Sequence, residues 1–196
     1  MSIVSLVSGG LDSTVMSLLA KEEGITQFPL FIDYGQIFMD MELKSCLENF
    51  QMLNLPTPKI VNIGGYGELI SCGLTDKSKR VFEDAFLPCR NLMFLTVGAA
   101  YAYQCGANSI AIGLLDEAFS IFPDQTLDFI KSTEGLLTKS LDYPINILTP
   151  LISFSKADVI KVAKMKGIKK TYSCHSGTEK PCGVCVSCRE YTNLEV

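Results

Sequence analysis

Charge is scarce in this chain: only 19% of its 196 residues are Asp, Glu, Lys or Arg, and the formal net charge is −4. Low charge beside 47% hydrophobic residues excludes an extended disordered segment. An acidic balance also argues against broad electrostatic attraction to nucleic acid. No basic leader precedes Met1-Ser2-Ile3-Val4-Ser5-Leu6-Val7, which reads as a first strand rather than a signal peptide, so a cytoplasmic protein is expected. Asn91 to Leu115 carries no charged residue, yet Gly106-Ala107-Asn108-Ser109 splits it short of the roughly 20 residues a membrane span needs. It reads as a buried helix followed by a central strand. Neither the Gly-Lys-Ser/Thr ending of a Walker loop nor Gly-x-Gly-x-x-Gly is present, which excludes the two commonest glycine-rich phosphate loops. There is no internal repeat or low-complexity tract.

What is present alternates. Strand candidates at 3–7, 27–33, 59–63, 109–113 and 146–148 are separated by helix candidates at 13–23, 39–53, 90–104, 123–141 and 155–167. Ser155-Lys156-Ala157-Asp158 has the form of a capping box, and Pro123 is taken as a helix opener. Residues 64–88 read as irregular and mobile. The alternation predicts an α/β fold, a doubly wound parallel sheet with ligands at the carboxyl ends of its strands.

Between the first strand and first helix lies Val7-Ser8-Gly9-Gly10-Leu11-Asp12-Ser13-Thr14. Backbone N–H groups and the positive end of a helix dipole converge on an anion at such a place, and paired glycines allow close approach. The last four of eight cysteines, Cys174, Cys182, Cys185 and Cys188, are spaced C-x7-C-x2-C-x2-C. Such spacing in a cytosolic chain suits a structural Zn²⁺ that would pin the C-terminal tail. An iron–sulfur cluster competes, but the matching fourth cysteine followed by proline is missing. His175, the single histidine, lies behind those ligands, at the surface, or facing substrate.

The string Ser8-Gly9-Gly10-Leu11-Asp12-Ser13 resembles the pyrophosphate loop of the N-type ATP pyrophosphatases, of the adenine nucleotide α hydrolase-like (HUP) fold. That resemblance implies AMP transfer from ATP to a substrate oxygen, with Mg²⁺ assisting. Further motifs follow in order: Asp33-Tyr34-Gly35-Gln36 with Glu42, Pro88-Cys89-Arg90-Asn91, Ile112-Gly113 with Asp116, Phe122-Pro123-Asp124 with Phe129, Thr171-Tyr172-Ser173-Cys174, and Pro181-Cys182-Gly183-x-Cys185-x-Ser187-Cys188. Together they resemble the QueC-type 7-cyano-7-deazaguanine synthases over nearly the whole chain.

The resemblance implies conversion of 7-carboxy-7-deazaguanine and ammonia to an amide and then a nitrile through two adenylates. It divides the chain into a pyrophosphate-loop domain, 1–170, and a zinc-binding segment, 171–196. Val7 to Thr14 would hold ATP, with Asp12, Ser13, Arg90 and Lys156 as catalytic residues. Tyr34, Gln36, Arg90, Asn91, Asp116, Phe122 and Asp124 would contact substrate, the two aspartates reading the base edge or serving Mg²⁺. Lys156 is equally readable as a helix-surface lysine. A homodimer is also a family expectation.

The chain departs from the family pattern at Cys89, where Gly is usual, at Ile37-Phe38, where a basic residue and His are usual, and at Gln125-Thr126, where Cys-Arg is usual. These positions keep open a paralogue that joins a carboxylate to a different amine, on a protein or nucleic acid. A tRNA thiolase and a nucleotide-binding module without chemistry are the remaining alternatives.

Overall fold

The computed structural model describes residues 1–79 and 84–191. The chain runs β1 (Ser2–Val7), α1 (Leu11–Glu22), β2 (Thr26–Asp33), α2 (Met39–Met52), β3 (Lys59–Asn62), α3 (Gly65–Leu69), α4 (Arg90–Cys105), β4 (Ser109–Ala111), α5 (Leu127–Leu141), β5 (Asn146–Leu148), α6 (Lys156–Met165) and α7 (Val186–Arg189). The five strands form one parallel sheet in the order β3-β2-β1-β4-β5. The predicted doubly wound architecture is therefore observed. The order reverses between β1 and β4, and the crevice outside their carboxyl ends is where such sheets take ligands.

β1 is central, and its alternating side chains serve opposite faces. Val4 and Leu6 meet Leu95, Ala99 and Ala102 of α4 and Ile130 and Leu137 of α5. Ile3 packs on the other face with Val15 and Met16 of α1 and Val159, Ile160 and Ala163 of α6. At Gly98, a Cβ would sit 3.2 Å from Leu6 and Ile110, so α4 lies unusually close to the sheet. The uncharged stretch is thus a helix buried along one face only, with Thr96, Ala100 and Tyr103 exposed, followed by an interior strand; the fully buried helix expected there is not observed. Among the described residues no helix is long and apolar enough to cross a membrane.

Three boundaries differ from expectation. The first helix begins at Leu11, with Gly10 as its cap, so Asp12 and Ser13 belong to its first turn. The strand expected over 109–113 ends at Ala111. The helix expected from Pro123 is two pieces: a 3₁₀ turn over Pro123–Gln125, then α5 from Leu127. Thr126 interrupts them because its backbone is extended and its hydroxyl accepts the Phe129 N–H at 3.2 Å, an N-cap that outcompetes continuation from the proline.

The stretch 64–88 is irregular as predicted apart from α3. Cys72, Leu74, Ala85 and Leu87 are buried there with Tyr34 and Phe38, over the carboxyl ends of β1 and β2. Residues 80–83, part of the stretch expected to be mobile, lie outside the described residues.

Candidate active site

β1 delivers the glycine loop to the head of α1 at the reversal point. Ser8 N–H donates to Ser13 Oγ (3.2 Å), Ser13 Oγ–H to the Gly10 carbonyl (3.2 Å), and Thr14 Oγ1–H to the same carbonyl (2.8 Å). The first N–H groups of a helix have no acceptor within it, and Gly10, Asp12 and Ser13, at the head of this one, line the crevice. Gly9 has φ +78°, and a Cβ on it would come within 2.3 Å of the Glu42 carbonyl, so only glycine lets the loop abut α2. Gly113, after β4, plays a similar part: a Cβ there would sit 3.4 Å from Ser13 N.

Of the loop residues, Val7, Ser8, Gly10, Asp12 and Ser13 line the crevice. Gly9, Leu11 and Thr14 do not line it: Leu11 is packed between α1 and α6, and Thr14 is fully buried beneath the loop.

Lys156, the first residue of α6, is no free surface lysine. Its ammonium lies 3.0 and 2.9 Å from the two Asp12 carboxylate oxygens and 2.9 Å from Glu190 Oε2, over the Tyr191 ring. Burial opposes its charge, but Asp12, Tyr191 and Glu190 outweigh it and hold the ammonium above the ordinary lysine value. The predicted capping box is present, with Ser155 N–H donating to Asp158 Oδ2 (3.0 Å) and Asp158 N–H to Ser155 Oγ (3.2 Å).

The opposite wall comes from β2, α2 and α4. Tyr34, Gln36, Glu42, Arg90, Asn91 and Phe122 all line the cleft. Gln36 Oε1 accepts the Tyr34 N–H (2.9 Å), and its amide donates to Glu42 Oε2 (3.2 Å). Burial pushes the Glu42 carboxyl up to about 8, against the opposing pull of the Gln36 hydrogen bond and the Arg90 charge. Asp124 does not line this cleft: its Oδ2 accepts the Asn91 N–H at 3.2 Å, capping α4, while its carbonyl accepts the Asn91 amide at 2.9 Å. Asp116 stands in an adjoining cleft with Asp12, Gly113 and Lys156, and its Oδ1 accepts the Ala118 N–H at 2.9 Å.

The three departures from the family pattern fall at the head of α4, behind His175 and on the cleft rim. Cys89 caps α4 with φ +58°, a left-handed backbone that glycine adopts without strain. Phe38 stacks on His175, ring centroids 5.1 Å apart. Gln125 Oε1 accepts both the Ile121 and Phe122 N–H groups at 2.9 Å, shaping the cleft rim.

Cys174, Cys182, Cys185 and Cys188 bring their four sulfurs within 4.8 Å of one another, close enough to share one metal ion. The turn is built by N–H donation to sulfur, from Cys182 to Cys174 (3.3 Å), Cys185 to Cys182 (3.4 Å) and Cys188 to Cys185 (3.3 Å). At Cys182, burial disfavours the thiolate, but the N–H groups of Val184 and Cys185 prevail and bring it down to about 6.

This segment also forms part of the cleft. Tyr172 N–H donates to the Gly9 carbonyl (3.2 Å), and Tyr172, Ser173, His175, Ser187 and Glu190 line the same space as the loop. His175 is half-buried; desolvation depresses its imidazole to about 4 with help from the Arg90 charge, and its Nδ1 has no partner among the described residues. Glu42, Tyr172, Ser173 and Glu190 line the candidate site although sequence reasoning assigned them no role in it. Only Glu42 and Tyr172-Ser173 left a signal, as members of the motifs.

A doubly wound parallel sheet that sets Ser-Gly-Gly-x-Asp-Ser on the head of its first helix defines an enzyme of the pyrophosphate-loop superfamily. The family model described as queuosine biosynthesis protein QueC matches residues 2–193, and the chain belongs to that family. Proteins named 7-cyano-7-deazaguanine synthase are similar to it: that of Acetivibrio thermocellus is 38% identical, covering 94% of this chain and 88% of its own, and that of Nautilia profundicola is 33% identical, covering 95% and 89%.

Among solved structures, the U34-tRNA thiolase of Methanococcus maripaludis, solved with its [4Fe-4S] cluster, matches with TM-score 0.61 at 19% identity over 96% of this chain and 63% of its own. A predicted tRNA methyltransferase subunit from Methanocaldococcus jannaschii matches with TM-score 0.59 at 19% identity over 88% and 81%. At that identity the likeness is one of fold.

Proposed function

We propose that this enzyme converts 7-carboxy-7-deazaguanine and ammonia to 7-cyano-7-deazaguanine at the expense of ATP. One observation carries the reading beyond family membership: the loop of Ser8, Gly10 and Ser13 opens into the same cleft as Tyr34, Gln36 and Arg90, so a triphosphate and a flat polar ring can meet there. In this reading a carboxylate oxygen attacks the α-phosphorus and pyrophosphate leaves. Ammonia then displaces AMP to give the amide. The amide oxygen takes a second AMP, and loss of that AMP with two N–H protons leaves the nitrile.

The loop from Val7 to Thr14 holds the phosphates through Ser8, Gly10 and Ser13, with Gly9, Leu11 and Thr14 shaping it from behind, and the first-turn amides of α1 with Ser13 stabilise the charge growing on the departing pyrophosphate. Lys156 adds a cation there and holds Asp12 in place. Arg90 offsets the substrate carboxylate, while Tyr34, Gln36, Asn91 and Phe122 shape the ring site. Asp124 acts through Asn91 by capping α4. Mg²⁺ would neutralise the triphosphate, with Asp12 and Asp116, which line one adjoining cleft, as the carboxylates that would hold it.

Zinc is the proposed metal of the cysteine site. A tetrahedral ion with Zn–S near 2.3 Å sets its sulfurs about 3.8 Å apart, whereas a cubane cluster spreads its thiolates over separate irons. Sulfurs within 4.8 Å of one another, and 3.9 Å between Cys182 and Cys188, support the single ion. The division at residue 170 is kept as one between the sheet domain and a metal-held segment that closes its cleft; residues 192–196 lie outside the described part. We place the enzyme in the cytoplasm, in keeping with its free thiols, as a homodimer that needs no nucleic acid.

Mass spectrometry of the products from ATP, 7-carboxy-7-deazaguanine and ammonia tests the reading. The nitrile with two AMP per product is expected. No AMP release with that acid and any of several amines would overturn it, and an adduct with another amine in place of ammonia would identify the paralogue.

A further inference from the structure

Reading a deazaguanine ring requires an acceptor for two neighbouring donors, the ring N1–H and the exocyclic amine, and a carboxylate presents two oxygens at matching spacing. Asp116 and Asp124, the aspartates expected in that role, are not on the wall of the main cleft. Among the described residues that cleft has three carboxylates: Asp12, Glu42 and Glu190. Asp12 and Glu190 both bind the Lys156 ammonium at the phosphate end.

Glu42 makes no ion pair among the described residues. Its Oε2 accepts a hydrogen bond from the Gln36 amide at 3.2 Å. Flat ring faces stand in the same cleft, the Phe38–His175 stack and the Tyr34–Phe94 pair at 5.4 Å.

Resting on the functional reading above, we propose that Glu42 is the specificity-determining residue that accepts the N1–H and exocyclic amine of the substrate ring, held in orientation by Gln36. A carboxyl on the cleft wall has acceptor capacity beyond the one bond from Gln36, and a ligand with two neighbouring donors can fill it. An acid lacking those donors leaves it unsatisfied, which is how a polar site rejects a near-isostere. Burial holds the empty site's carboxyl at about 8, and the ring donors favour the ionised form.

The test compares AMP release with 7-carboxy-7-deazaguanine and with 7-carboxy-7-deazahypoxanthine, which keeps N1–H and lacks the amine, in wild-type, Glu42→Gln and Glu42→Asp enzyme. Wild type should prefer the first acid about 10-fold or more in kcat/KM. Glu42→Gln should lose about 10- to 100-fold on that acid, mainly through KM, change little on the hypoxanthine analogue, and keep its KM for ATP. Metal content and the thermal midpoint report whether the variant folds. If Glu42→Gln does not fold, Glu42→Asp decides: a raised KM with the preference for the amine retained supports the proposal.

Equal losses on both acids, or unchanged preference in Glu42→Gln, overturn the proposal while the functional reading stands. A wild-type enzyme inactive on both acids overturns both.

Discussion

At the residue scale, the candidate site holds two ionisable side chains, a half-buried lysine and a buried glutamate, whose environments work in opposite directions. Lys156 is kept charged, against the cost of its burial, by Asp12, Tyr191 and Glu190, so it stands as a fixed cation beside the glycine loop. Lys156→Met should lower kcat about 10²- to 10³-fold, as loss of a preorganised charge-stabilising group does. A kcat drop under 10-fold in steady-state AMP release would assign the lysine to structure alone.

Glu42 is instead kept protonated. Its carboxyl is raised from 4.5 to about 8, with Arg90 and Gln36 pulling the other way. Between those values the native state holds a proton that the unfolded state has lost, so the stability from this group is complete below pH 4.5 and disappears as pH rises to about 8. Melting curves from pH 5 to 8 should therefore fall less steeply for Glu42→Gln than for wild type.

At the element scale, the α4 N-terminus carries a strained cap. Cys89 sits at φ +58° as the N-cap of α4. The left-handed conformation costs a side-chain-bearing residue about 1–2 kcal/mol, and glycine loses about 0.5–1 kcal/mol of extra entropy on folding. Cys89→Gly should thus stabilise by about 0.5–1 kcal/mol in urea unfolding, and Cys89→Val should destabilise.

The sheet and its helices were legible because buried parallel strands are short apolar runs and the helices between them carry caps or breakers. Contiguous chemistry was legible too: the glycine loop and the cysteine turn each occupy one stretch of chain. What failed was local competition and distance. Thr126 defeated Pro123 as helix opener because a side-chain cap depends on the backbone angle it meets. Lys156 was ambiguous because its partner Asp12 lies 144 residues away. Asp124 looked like a substrate contact, and no sequence pattern announces that it caps a helix 33 residues distant.

At the scale of the whole molecule, the metal segment and the nucleotide loop are one structure. Tyr172 N–H donates to the Gly9 carbonyl and Ser45 Oγ (3.2 and 3.0 Å), and Asn49, from α2, donates to the Lys170 carbonyl at 2.5 Å. Past the cysteine turn, Glu190 reaches Lys156. None of the four sulfurs would need to touch substrate for a metal bound there to affect catalysis, because the same segment carries Tyr172, Ser173 and Glu190 into the cleft wall.

Cys185→Ser should therefore lose the bound ion and lower the melting temperature, since metal affinity is folding free energy for a segment this short. Its AMP release should fall much further than that of Glu190→Ala, which removes one contact and leaves the turn. The sheet should persist, because its clusters are built from α1, α4, α5 and α6 without cysteine ligands. Far-UV circular dichroism close to wild type, with activity gone and zinc absent by elemental analysis, is the expected result. Full activity in the metal-free variant would show that the cleft closes without its staple.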